Sequence, residues 1–236
     1  MTLETTFDDI SPLFPGDEEA RREELNCLQN LATGLRERES SSMGPWELSR
    51  GEGLLFSAPH EVAQVRDGVE KIAEQGTADL AFALARATGG SALATTDRQL
   101  GDPNWDVGHP YIERARILAK GWPTIDLHMM RPRGLEICIG LGPCLKMSDD
   151  LWKPFMEEAV VSGLRASVNW PFGANPRTVT GQLQREGKKA IQLELSWECY
   201  DPNHPAMRRA WSCLLRASRR IIHAYRSQSA SPSLGK

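Results

Sequence analysis

Two histidines, a choice of acidic residues and a late glutamate are spaced so that together they could bind a metal ion and move a proton. His60 stands two residues beyond the apolar run 54–58, and His128 directly follows Ile125-Asp126-Leu127. Ligands of open α/β sheets occupy the crevice beyond the carboxyl ends of the strands, so both imidazoles are expected to face one crevice. Catalytic zinc takes three protein ligands and leaves a position for water, so two strand-end histidines lack one donor. A carboxylate would complete the set. The sequence offers Glu61, next to His60, and Glu74, just ahead of a predicted helix. Side chains of adjacent residues diverge on an extended backbone, which favours Glu74 and keeps Glu61 as the alternative. Asp126 precedes His128 by two, so on a strand it shares that imidazole's face and can orient it.

The stretch Ile191-Gln192-Leu193-Glu194-Leu195-Ser196-Trp197 alternates, with its apolar side chains on one face and Gln192, Glu194 and Ser196 on the other. A carboxylate near the end of a central strand suits a general base that then serves as acid, its proton affinity raised by partial burial. A metal beside it would polarise a carbonyl and lower the pKa of water to about 7. Arg177, Arg165, Arg98 and Arg66 could each clamp a substrate carboxylate bidentately, although with 28 Lys and Arg most such side chains are surface charges. Asp102 and Asn104, in Gly101-Asp102-Pro103-Asn104, are turn formers by type. His109, His204 and His223 receive no role. Nucleophilic alternatives find no support: there is no GxSxG elbow, and Cys27, Cys138, Cys144, Cys199 and Cys213 are scattered without a CxxC pair.

Those side chains need a frame. The pattern predicts strands at 54–58, 92–96, 124–127, 135–141 and 190–197, alternating with helices at 77–88, 110–120, 149–164 and 205–225. Strand and helix in alternation indicate a mainly parallel sheet covered on both faces, an α/β three-layer sandwich. Residues 17–38 read as an additional helix, 39–53 as a polar linker and 227–236 as a frayed tail. The domain plan is therefore an extension over 1–50, one α/β domain over 51–226, and the tail.

The chain has 236 residues, 25% of them charged, and a net charge of -3, which offers no broad attraction for nucleic acid or an anionic membrane. Its acidic start, MTLETTFDDI, lacks the basic and apolar regions of a secretion signal, and no apolar stretch reaches spanning length, so a cytoplasmic location is expected.

Over about 54–215 the sequence resembles the N-formylglutamate amidohydrolase family, whose fold is similar to that of zinc carboxypeptidases, aspartoacylases and other phosphorylase/hydrolase-like proteins. The matching passages are Ser57-Ala58-Pro59-His60, the Glu74 segment, Asp102-Pro103-Asn104, Ile125-Asp126-Leu127-His128, Pro171-Phe172-Gly173 with Arg177-Thr178, and Ala190 through Leu195. The resemblance implies zinc on His60, Glu74 and His128, with Glu194 as the family's late-strand glutamate. Arg177, Arg66 and Asn104 are the candidate substrate contacts, with Asp102 and Asp126 expected to support the ligands from behind. The substrate would be a small N-acyl amino acid or peptide-like amide. Two departures bear on which one: Trp105 stands where the family has arginine, and Gly173-Ala174 replaces a glycine pair. An inactive relative that binds a peptide or metabolite as a regulator, and a zinc carboxypeptidase-like peptidase, are the alternatives. The helix at 17–38 has no counterpart in the resemblance and fits a lid, a homodimer contact or simple packing.

Overall fold

A computed structural model describes residues 46–49, 51–95 and 101–230. The expected helix at 17–38, Arg98 and Cys27 lie outside the described residues. In chain order the elements are β1 (Trp46–Leu48), β2 (Leu55–Ala58), β3 (Gln64–Arg66), β4 (Val69–Lys71), α1 (Thr77–Thr88), β5 (Ser91–Ala94), α2 (Pro110–Ala119) and β6 (Thr124–Met130). They continue with β7 (Ile137–Gly140), α3 (Asp149–Val161), β8 (Ala166–Val168), α4 (Val179–Arg185), β9 (Ala190–Ser196) and α5 (Pro205–Ala230).

Seven strands form one sheet in the order β1-β5-β2-β6-β9-β7-β8, and β3 and β4 form a separate hairpin. The four inner strands β5, β2, β6 and β9 run parallel. β1 is antiparallel to β5, β7 is antiparallel to β9, and β8 runs with β7. The parallel strands are apolar on both faces because helices cover both. One face buries Phe56, Ile125, Leu127, Ile191 and Leu193 together with α1, α3 and α5. The opposite face packs Leu55, Leu93 and Ala190 against Tyr111, Ile112 and Leu118 of α2 and against Val179 and Leu183 of α4. The three-layer α/β sandwich expected from sequence is therefore the fold, with a mixed, mainly parallel sheet.

The second face is covered only in part. Following β6 from Thr124, the side chains alternating with Ile125 and Leu127 are Asp126 and His128. On β9 those alternating with Ile191, Leu193 and Leu195 are Gln192 and Glu194. Toward the carboxyl ends, then, the α2/α4 face is polar.

Local signals set the boundaries. α1 ends on Gly89 in the left-handed region, its N–H returning to Ala85 O. Gly90 then runs so close to β2 that a Cβ would meet Leu54 O at 2.4 Å. α2 starts with Pro110 after His109, whose ring accepts from Tyr111 N.

Several expectations are corrected. Residues 46–48, placed in the linker, form edge strand β1. β6 continues to Met130, so His128 lies within the strand and not after it. α5 runs through 227–230, which were assigned to the tail, and β8, α4 and the β3/β4 hairpin were not expected. Among the described residues no helix is long and apolar enough to cross a membrane.

Leu193 is wholly buried in the middle of β9. Leu193→Ala should lower stability by about 2–5 kcal/mol, read as a fall in denaturant midpoint at unchanged slope.

Candidate metal centre

β2 ends at Ala58 and delivers His60 to the crevice, while β6 presents His128 from the neighbouring strand; the two rings meet edge to face with centroids 4.9 Å apart. Glu74 arrives from the segment between the β3/β4 hairpin and α1. Its N–H donates to His60 O at 2.8 Å, and its carbonyl accepts from the Thr77 hydroxyl. Its carboxylate lies between the rings, Oε1 at 3.0 Å from His60 Nδ1 and Oε2 at 2.9 Å from His128 Nδ1, and Met129 N also donates to Oε2. Ligand atoms of these three residues all lie within 4.8 Å of one another.

Glu61 occupies a different place. Its Oε2 accepts from the backbone N–H groups of Gly76 and Ala78 and from the Thr77 hydroxyl, so it caps the start of α1 and fixes the turn that carries Glu74. Of the two carboxylates considered, the structure groups Glu74 with the histidines.

The outward nitrogens of both rings meet carboxylates. His60 Nε2 lies 2.9 Å from Asp102 Oδ1, and His128 Nε2 lies 3.3 Å from Asp126 Oδ2. Asp102 and Asp126 are themselves wholly buried. Asp102 receives Arg66 Nε and Nη2, each at 2.7 Å, and Asp126 Oδ1 receives the Ser57 hydroxyl. Donation from Nε2 to a carboxylate leaves Nδ1 with a lone pair facing inward, the tautomer a metal requires. For His128 a second tautomer is available, in which Nδ1 donates to Glu74 and Nε2 accepts from Asn104 Nδ2 at 3.1 Å.

The electrostatics follow from this crowding of anions. Burial alone would lower the His60 pKa, but the Glu74 charge and the bonds to Asp102 and Glu74 outweigh it and raise it. His128 is likewise desolvated, yet Glu74 and Asp126 lift it well above the ordinary histidine value. Burial pushes Glu74 up, and the two imidazoles more than reverse this, holding it below the carboxylate range. Asp102, opposed in the same way by burial, is brought down to about 2 by His60, Arg66 and the N–H of Asn104. The cluster favours added positive charge at its centre. Two imidazole nitrogens and a carboxylate oxygen, backed by carboxylates, are a donor set that fits zinc.

Glu194 stands beside this group. Parallel pairing of β6 and β9 sets it directly across from His128, and β7 sets Cys138 on its other side. Gln192 Nε2 donates to its Oε1 at 2.7 Å. Burial, aided by the Glu74 charge, raises its pKa in spite of His128, His60 and the Gln192 bond, so it holds a proton more readily than a free glutamate.

The remaining sequence candidates are distributed unequally. Asn104, expected to touch substrate, has both polar ends occupied: Oδ1 accepts from Val179 N at 2.6 Å and Nδ2 faces His128. It holds the 102–106 turn against the start of α4. Arg66 spends two donors on Asp102, and Arg177 is exposed. Arg165 pairs with Glu136 away from the centre. Sequence reasoning missed Tyr200, whose hydroxyl donates to His128 O, and Ser57 and Tyr111, which continue the chain of buried bonds behind Asp126.

No family model matches the sequence, and no curated protein matches it either. Solved structures do share the fold. A bacteriophage poly-γ-glutamate hydrolase is 14% identical, with a TM-score of 0.52, over 81% of this chain and 95% of its own. A gene product from Agrobacterium tumefaciens is 12% identical, with a TM-score of 0.54, over 82% and 98%. N-formylglutamate amidohydrolase from Ralstonia eutropha JMP134 is 16% identical, with a TM-score of 0.53, over 78% and 98%. The expected resemblance is borne out at the level of fold.

Two outcomes are expected of zinc titrations against a competing chelator. Because both imidazoles bind protons more tightly than free histidine, zinc must displace protons, and its affinity should keep rising with pH past about 6.5. Asp102→Asn should weaken zinc binding by about 10–100-fold by removing the partner of His60 Nε2.

Proposed function

We propose that this chain is a zinc-dependent amidohydrolase that cleaves a small N-acyl amino acid or peptide-like amide. The observation that carries the reading is the juxtaposition of a His60, Glu74 and His128 donor set with the carboxyl group of Glu194 on the neighbouring strand. Two structures of the same fold belong to hydrolases named for glutamyl substrates, a poly-γ-glutamate hydrolase and an N-formylglutamate amidohydrolase, which supports amide chemistry over other uses of the fold.

His60, Glu74 and His128 would hold the ion, which when bound supplies a Lewis acid for the scissile carbonyl and lowers the pKa of water toward about 7. The chain's own residues do the rest. Gln192 occupies Oε1 of Glu194, so Oε2 is the oxygen on which a proton is carried. Glu194 accepts that proton from the attacking water and returns it to the nitrogen of the departing amine. The carbon–nitrogen bond breaks as the carbon–oxygen bond forms, giving a carboxylic acid and an amine. Asp102 and Asp126 keep the imidazoles oriented throughout, and Arg66 balances the charge of Asp102.

Glu194→Gln should keep stoichiometric zinc and cost about 10²–10⁴-fold in turnover of a panel of N-formyl and N-acetyl amino acids and dipeptides. Metal analysis run beside the assay checks both halves. A wild-type chain that takes up zinc and hydrolyses nothing in the panel would overturn the reading.

A further inference from the structure

Trp105 stands in the loop between Asp102 and α2, and two guanidinium groups lie over its ring: Arg66 with its central carbon 4.9 Å from the centroid, and Arg177 at 4.4 Å. The two arginines differ in how their charge is met. Arg66 is paired with buried Asp102. Arg177, among the described residues, makes no ion pair or hydrogen bond through its guanidinium; its backbone N–H donates to Asn175 Oδ1 and its carbonyl accepts from Gln182. The indole is thus what holds an otherwise uncommitted, exposed cation beside Arg66 and its partner Asp102. A π face attracts a guanidinium without consuming its in-plane N–H donors, which stay available for a carboxylate.

The backbone beneath this pair is fixed from inside. Buried Gln182 donates to Pro103 O at 3.1 Å and to Arg177 O at 2.7 Å, tying the Trp105 loop to the Arg177 segment. Asn104, next to Trp105, accepts from Val179 N and reaches His128 Nε2. Two buried amide side chains therefore set ring and guanidinium relative to each other and to the metal centre. Resting on the amidohydrolase reading, we infer that Trp105 is a positioning residue that aims Arg177 as the anion-binding group of the site and so selects amides whose other end carries a carboxylate.

The test measures binding in a protein that does not turn over. Zinc-loaded Glu194→Gln protein is titrated calorimetrically with N-acetyl-L-alanine and with its neutral counterpart N-acetyl-L-alaninamide. The parent should prefer the carboxylate by about tenfold or more, and Trp105→Ala should abolish most of that preference. Trp105→Phe, which restores a π face, should recover it, whereas Trp105→Leu, which keeps apolar bulk without one, should not. In an Arg177→Gln background the preference should already be lost, and Trp105→Ala should remove nothing further. Equal or undetectable binding of the two ligands by the parent, an unchanged preference in Trp105→Ala and Trp105→Leu, or additive losses with Arg177→Gln would each overturn the inference. Hydrolysis by the unsubstituted chain is scored separately, so failure of catalysis and failure of anion selection are told apart.

Discussion

A carboxylate held between two imidazoles is the interaction around which the rest of this crevice is arranged. Glu74 faces Nδ1 of both His60 and His128, in a place where burial alone would neutralise it. Both imidazoles oppose that effect of burial on Glu74, and Asp102 and Asp126 stand at the rings' outward nitrogens. Remove the outer carboxylates and the inner triad loses both its tautomers and its orientation. The turn that carries Glu74 depends in its own way on buried charge: Glu61 binds the first N–H groups of α1, and Gly76, at φ 96, packs against Tyr200. Tyr200 in turn holds the carbonyl of His128. The loop and the strand that meet at the centre are thereby fastened to each other by bonds that do not involve the ligands' donor atoms.

The geometry of the sheet explains why chemistry collects on one side. Apolar residues at every second position of β6 and β9 keep one face inside the α1/α3/α5 layer along its whole length. Of the alternate positions, Ala190 is apolar under α2 and α4, and Met130 packs with Leu135 and Cys138. Beyond that cover the same strands carry Asp126, His128, Gln192 and Glu194. Parallel register places His128 and Glu194 side by side with no loop between them, so their separation is set by strand spacing. Two side chains positioned in this way need little adjustment when anything binds between them, which is the condition for electrostatic preorganisation.

Much of this frame was legible in the sequence, for identifiable reasons. The inner strands are runs of apolar residues, and α1 is bounded by a glycine pair, so its limits are read correctly as 77–88. His60, Glu74 and His128 are readable because histidine after an apolar run is uncommon and strand ends converge. The misses are short or locally silent. β1 and β8 have three residues each and owe their existence to pairing with β5 and β7, which no local pattern reveals. The β3/β4 hairpin did carry a signal, Asp67-Gly68, with both residues at positive φ as a tight hairpin turn requires. His128 was placed after its strand because Met129 and Met130 do not alternate in polarity with it. Asn104 was read as a substrate contact on resemblance, whereas its partners, Val179 N and His128, lie far along the chain and only the fold brings them to it.

Asp102 deserves a different weight from the one its turn-forming type suggests, because it belongs to two systems at once. Through Oδ1 it holds His60, and through Oδ2 it holds Arg66, which lies over the same indole as Arg177. A single buried carboxylate therefore links the imidazole of His60 to the pair of guanidinium groups over Trp105. In the proposed chemistry this gives the loop 102–106 a stronger constraint than either task alone imposes, since it has to satisfy the ion and the substrate through the same few atoms.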